Sequence, residues 1–192
     1  SIRSLADFDL LGSELGPDVF NYGEIPPRII LNYISFKTNY NFNEFLSDVM
    51  QNHVKLAGSL KFATAGGLFE TSGIISGQFS ATRHDYMRLA VTMLEDWNSG
   101  NCVGNYLKDM YSSRKSKGRQ KDNPFWNSDS YAAFFHTDYH RIKDETVMGG
   151  DGYGGVLLLI NFDEDRIVYA HGVHRNYDTD RLVYDAAADG EI

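Results

Sequence analysis

The run GVLLLIN at residues 155–161 narrows the possible folds more than any other stretch of the chain. It is a continuous apolar segment of strand length. The turn Phe162-Asp163-Glu164-Asp165 leads directly into RIVYAHGV at 166–173, so the two segments read as an antiparallel hairpin. Aromatic-rich YAAFFHTDYH at 131–140 reads as a further strand. Upstream of these, the apolar periodicity is helical. Pro26 and Pro27 suit a first helical turn, and Ile29, Ile30, Tyr33 and Ile34 follow at helical spacing, which predicts a helix over about 26–37. Asn41 with Glu44 resembles a capping box for a second helix, which carries Phe42, Phe45, Leu46 and Val49 on one face and ends near His53. Between Gly58 and Gly77, repeated Gly, Ser and Thr predict mostly loop.

Thr82 with Asp85 is a second capping signal. It opens the strongest helical pattern in the chain, in which Tyr86, Leu89, Ala90, Met93, Leu94 and Trp97 share a face. Asp85 and Arg88 read as a helix cap and a structural ion pair. Val103, Leu107, Met110 and Tyr111 predict a shorter helix, and Leu182, Val183, Ala186 and Ala187 predict a closing helix over about 178–188. Helices first, then an antiparallel sheet, then one helix is the order of an α+β fold rather than of alternating βαβ units. The helical part covers about 1–125 and the sheet with its closing helix about 126–192. A chain of 192 residues at 42% hydrophobic can bury the core of a single domain of this kind.

Composition excludes several roles. A formal net charge of -8 disfavours polyphosphate and nucleic-acid partners. The basic run Arg114, Lys115, Lys117, Arg119 and Lys121 has no aromatics interleaved, and so reads as a solvated loop. Cys102 is the only cysteine, which excludes an internal disulfide framework and a multi-cysteine zinc site, and it reads as a small buried hydrophobe. No stretch approaches the roughly 20 apolar residues of a membrane span, and no charged-then-apolar signal segment opens the sequence.

Four stretches, taken in order, resemble the latter part of the serine β-lactamase-like hydrolases. This family includes penicillin-binding proteins, class C-type β-lactamases, esterases and 6-aminohexanoate-oligomer hydrolases. VFNYGEIPPRIILNYI is similar to the family's tyrosine motif, Tyr-x-Asn or Tyr-x-Ser, with its following helix and an EFL-type helix at Glu44-Phe45-Leu46. Gly66-Gly67 through Gly77 is similar to the glycine-rich approach to the next helix, and ATRHDYMRLAVTML to the "T-x-x-D-x-x-R-F/L" helix start. MGGDGYGGVLLLINFDEDRIVYA is similar to the glycine-rich strand pair that follows.

The resemblance implies a β-lactamase/transpeptidase-like fold, present here in part, with ester or amide hydrolysis through an acyl-enzyme and no cofactor. It places Tyr22 as the general base and Gly150-Asp151-Gly152 on the substrate-edge strand where Lys/His-Thr-Gly is usual. The backbone N–H of Tyr153 would be an oxyanion donor. Glu24 would stand at the Asn or Ser of the tyrosine motif. Family members are often periplasmic or extracellular, and the compartment of this protein stays open.

The chemistry needs a hydroxyl made nucleophilic by a neighbouring base. A free tyrosine has a pKa of about 10 and needs a nearby ammonium to act as that base near neutrality. The family's Ser-x-x-Lys precedes the tyrosine, yet the sequence ahead of Tyr22 contains none. The one match in the chain, Ser112-Ser113-Arg114-Lys115, follows it. The chain therefore reads as a carboxy-terminal portion of such a hydrolase, inactive alone. With an acid at Glu24 and no Lys or His at 150–152, a small ester or amide without a carboxylate near the scissile bond is the expected substrate. Sheet strands contributed from elsewhere in the family fold would leave an open edge here, which predicts self-association or pairing with the missing segment. A clean monomer by light scattering at high concentration would remove that expectation.

Two other readings compete. A non-catalytic binding protein could keep the fold without the catalytic helix. His136-Thr137-Asp138 with His174 loosely resembles the two-His, one-carboxylate iron site of Fe(II)/2-oxoglutarate oxygenases, with His136 and Asp138 on one strand face.

Overall fold

A computed structural model describes residues 25–58, 61–64, 75–118, 127–152, 155–172 and 185–188. The chain divides into two compact units, Tyr22–Met93 and Ser1–Asn21 with Leu94–Ile192. The boundary between them falls inside one long helix. The architecture is α+β, with helices and a six-stranded antiparallel sheet.

In the first unit, α1 spans Ile25–Lys37 with Pro26 and Pro27 in its first turn, as their fixed φ and missing N–H favour. Helix α2, Phe42–Val49, runs on into a wider π-helical turn over Met50–Val54 that Lys55 ends in the left-handed conformation. Asn41 does not cap α2 through its side chain. Asn39 and Tyr40 turn left-handed just before it, and Asn41 itself has ψ 36°, whereas a capping side chain needs extended backbone to aim at the helix amides. Strands β1, Lys61–Thr64, and β2, Ile75–Ser80, pair antiparallel, the first inside the stretch expected to be mostly loop and the second beginning at its end. Their Gly, Ser and Thr residues hid the strand signal, because strand propensity is set by pairing context more than by local composition, and the register places Phe62 opposite Phe79.

Helix α3, Arg83–Ser99, begins at the expected cap. The Asp85 N–H donates to Thr82 Oγ1 at 3.1 Å, and the Thr82 hydroxyl donates to Asp85 Oδ2 at 2.7 Å. The Ala57 and Gly58 amides also donate to Asp85 Oδ1, at 3.0 and 3.2 Å, so one buried carboxylate ties the helix start to the preceding turn. The Thr82 hydroxyl, acting against the cost of burial and aided by these amides and nearby His84, holds the Asp85 carboxyl below the usual range. Arg88 does not complete an ion pair with Asp85. Its Nε donates to the Val54 carbonyl at 3.0 Å, closing the π-helical turn against α3. Around that turn Val54 and Leu56 form a small core with Leu46, Met50, Ala81 and Leu89.

The second unit holds the end of α3, helix α4 over Cys102–Ser112, and strands β3 (Lys115–Ser116), β4 (Ser128–Ala132), β5 (Phe135–Tyr139), β6 (Val147–Gly152), β7 (Val156–Asn161) and β8 (Arg166–Ala170), then a short α5 over Asp185–Ala188. The strands are paired in chain order. YAAFFHTDYH is two strands rather than one. Ala133 turns left-handed at φ 51°, and β4 and β5 form a hairpin with Ala132 opposite Phe135.

The continuous apolar run of β7 is explained by burial on both faces. Leu157 and Leu159 pack with Tyr139, Val147 and Ala187, while Leu158 and Ile160 are buried on the alternate face. Beyond β7, Phe162 stacks on Trp97 of α3 with ring centroids 4.2 Å apart. Asn161 locks the hairpin turn and the closing helix together. Its Oδ1 accepts from the Asp163 and Glu164 amides, and its Nδ2 donates to the Ala187 carbonyl at 2.9 Å and to Glu145. Cys102, expected to be buried, is exposed at the start of α4.

Candidate functional site

The substrate-edge residues expected from the sequence divide by position. Gly150, Asp151 and Gly152 form the last half of β6, while Tyr22, Glu24 and Tyr153 lie outside the described residues. Strand β7 pairs with β6 along its whole length, from Val147 with Asn161 to Gly152 with Val156. Strand β5 pairs with β6 at His136 with Gly149. Val147, Met148 and Gly149 are buried, Gly150 is half-buried, and Asp151 and Gly152 are exposed, so β6 meets solvent at this end while still paired with β7. Two glycines leave bare backbone on either side of a carboxylate, which lets an extended ligand approach the main chain closely.

Beside this end lies a buried cluster that the sequence did not reveal. Lys117 was expected in a solvated loop, yet it is completely buried together with Ser128, and His136 is nearly so. The Lys117 backbone N–H donates to the Asp129 carbonyl at 2.9 Å, carrying the β3 to β4 pairing one residue further. Its side chain then crosses to the sheet. Nζ lies 3.0 Å from the Ser128 carbonyl, in contact with Ser128 Oγ and 2.7 Å from His136 Nδ1, while Ser128 Oγ and His136 Nδ1 are 3.1 Å apart. The Tyr131 ring packs edge-on against His136, at 4.8 Å between centroids.

The electrostatics follow from burial. Desolvation pulls the Lys117 ammonium down to about 8, against the opposing pull of the Asp151 and Asp129 carboxylates. Burial and, second, the Lys117 charge push His136 down to about 3. Near neutrality the lysine is therefore charged and the imidazole neutral. A neutral imidazole that accepts at Nδ1 carries its proton on Nε2. An ammonium has three N–H groups, and the Ser128 carbonyl, Ser128 Oγ and His136 Nδ1 are three acceptors around it.

Other members of the basic run also differ from expectation. Arg114 Nε lies 3.0 Å from both Asp138 oxygens, and its guanidinium stacks over Tyr111. Arg119 and Lys121 lie outside the described residues. Ser112 ends α4 while Lys115 sits on β3, so this Ser-x-x-Lys match does not share one helical face.

The residues of the oxygenase-like reading that are described are held by contacts of their own. Nδ1 of His136 is engaged by Lys117, Asp138 is held by Arg114, and Asp138 itself is left-handed at φ 56°, which breaks the regular alternation assumed for it. His174 lies outside the described residues, among which no group of three His, Cys, Asp or Glu could hold a metal ion. Among them, too, no helix is long and apolar enough to cross a membrane. The chain matches no family model, no curated protein and no solved structure.

The cluster leaves one trace in the sequence that was not read. Ser128, Ser130 and His136 are polar residues inside aromatic strands, and such groups, once buried, need hydrogen-bond partners. Nothing in the local pattern singles out Lys117 from its basic neighbours as that partner.

Proposed function

We propose that this chain supplies the substrate-edge part of a β-lactamase-related serine hydrolase, acting on esters or amides through an acyl-enzyme, and that it has no hydrolytic activity by itself. The observation that carries the reading is the exposed, glycine-flanked end of β6 at Gly150-Asp151-Gly152. Two further features support it. A helix opened by the Thr82 and Asp85 cap precedes the sheet, and the β6 to β8 meander is followed by a short helix whose Ala187 and Ala188 pack on β7 and β8. In this proposal Tyr22 is the general base, the Tyr153 N–H contributes to the oxyanion site, and Glu24 and Asp151 select against anionic substrates.

The repulsion has a definite consequence. An exposed carboxylate at Asp151 raises the cost of bringing a second carboxylate to the strand edge, whereas a neutral acyl group meets only backbone. A 15N-labelled sample titrated with a neutral N-acetylated amide is expected to show shifts of the Gly150, Asp151 and Gly152 amides, and the corresponding carboxylate is expected to leave them in place. Equal shifts with both ligands, or none with the amide, contradict the proposal.

A further inference from the structure

The side chain of Lys117 does more than fill space. Strand β3 is two residues long, paired through Lys115 with Tyr131 and Ser116 with Ser130, and so short an edge strand has little hold of its own. The Lys117 ammonium reaches past β4 to β5 and joins three segments at one point: its own, Ser128 at the start of β4, and His136 of β5. His136 is also the residue of β5 that pairs with Gly149 of β6. We propose that Lys117, Ser128 and His136 form a proton-operated latch that fastens β3 to the sheet and releases it when His136 takes up a proton.

The latch works by matching donors to acceptors. With neutral imidazole, Nδ1 is an acceptor 2.7 Å from an ammonium donor. Protonation turns Nδ1 into a donor, so two cationic donors would face each other at hydrogen-bond distance inside a buried site. The fold must then either withhold the proton or open.

On the alkaline side the network survives. A neutral Lys117 amine keeps two N–H groups for the Ser128 carbonyl and His136, and its lone pair can accept from the Ser128 hydroxyl. The latch is therefore one-sided, stable to base and released by acid. The charged groups acting on it are Asp129 of β4 and Asp151 of β6, both of which favour the ammonium, and the Tyr131 ring lies 5.9 Å from Nζ. Asp129 is shared with His140 and Lys143 on its outer side, and Asp138 of β5 is taken up by Arg114.

The folded imidazole is held at about 3 against an unfolded value of 6.5. The latch's contribution is thus complete above 6.5 and is lost as the pH falls towards 3. Hydrogen-exchange protection factors measured over this range provide the test. The Lys117 amide, bonded to the Asp129 carbonyl, is expected to lose protection at least tenfold relative to Leu158, Leu159 and Ile160 of β7 as the pH falls from 6.5 to 3. In His136→Gln, whose amide oxygen can accept from Lys117 but does not titrate, that selective loss should disappear.

Nitrogen-15 shifts of His136 in the unmodified chain give a second readout that does not depend on the variant folding. The latch predicts an Nε2–H imidazole still neutral at pH 5. Three results overturn it: protection at Lys117 that tracks β7 throughout, selective release in His136→Gln over the same range as in the unmodified chain, or a His136 that titrates near 6.5.

Discussion

Replacing Lys117 by alanine is expected to destabilise the sheet-containing unit by about 3–5 kcal/mol. The substitution removes a fully buried four-carbon stem and takes the ammonium donor from the Ser128 carbonyl and His136 Nδ1, so a cavity and lost hydrogen bonds add up at one place. Methionine restores the volume and removes the cost of burying a charge, so Lys117→Met is expected to lose only about 1–2 kcal/mol.

The two forms also differ in their response to pH. The unfolded chain keeps the lysine proton up to its ordinary value of 10.5, whereas the folded protein releases it near 8. Unfolding between these values takes up a proton, so stability rises with pH across that window, by on the order of 3 kcal/mol. Urea unfolding of the two proteins from pH 7 to 11 should show this rise in the unmodified chain and its absence in Lys117→Met. Parallel pH profiles would mean that Lys117 is not buried as described.

Gly149→Ala is expected to cost about 3 kcal/mol, a large effect for a single methyl group. A Cβ at this position would lie 2.6 Å from Leu159 Cδ2 and 2.7 Å from Tyr139 Cζ, both in fully buried side chains. The tyrosine ring is rigid and enclosed, so the strain cannot be relieved by turning a flexible side chain away. Gly152→Ala gives the contrast. There the nearest atom is Val156 Cβ at 3.3 Å and the residue is exposed, so a change within about 0.5 kcal/mol is expected. Equal midpoints for the two variants in thermal unfolding would show that Tyr139 does not occupy the space above Gly149.

Much of the fold is legible in the sequence where one physical signal dominates. GVLLLIN and RIVYAHGV read correctly as a hairpin because a continuous apolar run can be buried only between two covered faces. The Thr82 and Asp85 cap is legible because its geometry is local, three residues apart on one turn. Several of the misreadings involve partners distant in sequence. Asp85 and Arg88 have the spacing of an ion pair, yet the carboxylate is claimed by amides 27 and 28 residues away and the guanidinium by the Val54 carbonyl. The alternating pattern through 131–140 gives no warning of the left-handed Ala133 that folds the stretch back on itself.

Lys117 is the sharpest case. Its neighbours in sequence are basic, Ser, Gly and Gln residues, the composition of a solvated loop, and its burial depends on Ser128 and His136, which lie 11 and 19 residues further on. A strand at Gly150, Asp151 and Gly152 was legible through the resemblance to the family's glycine-rich strand pair, and these residues form the last half of β6. The cluster beside it was not, because a buried ammonium is defined by its acceptors and not by its own sequence context.

Ser128 and Lys117 together pose the most direct question about the account as a whole. A serine hydroxyl in contact with an amine held near 8 is the chemical pairing of a nucleophile with its base, yet both side chains are sealed from solvent and Lys117 Nζ is turned to His136 and the Ser128 carbonyl. In the proposed latch they hold the sheet, and the proposed hydrolase reading places no activated serine in this chain. Incubation with a fluorophosphonate probe near pH 8, followed by intact-mass measurement and peptide mapping, decides the matter. The predicted result is no stoichiometric adduct on the folded chain, while one adduct per molecule, at Ser128 or at any other serine, contradicts the account.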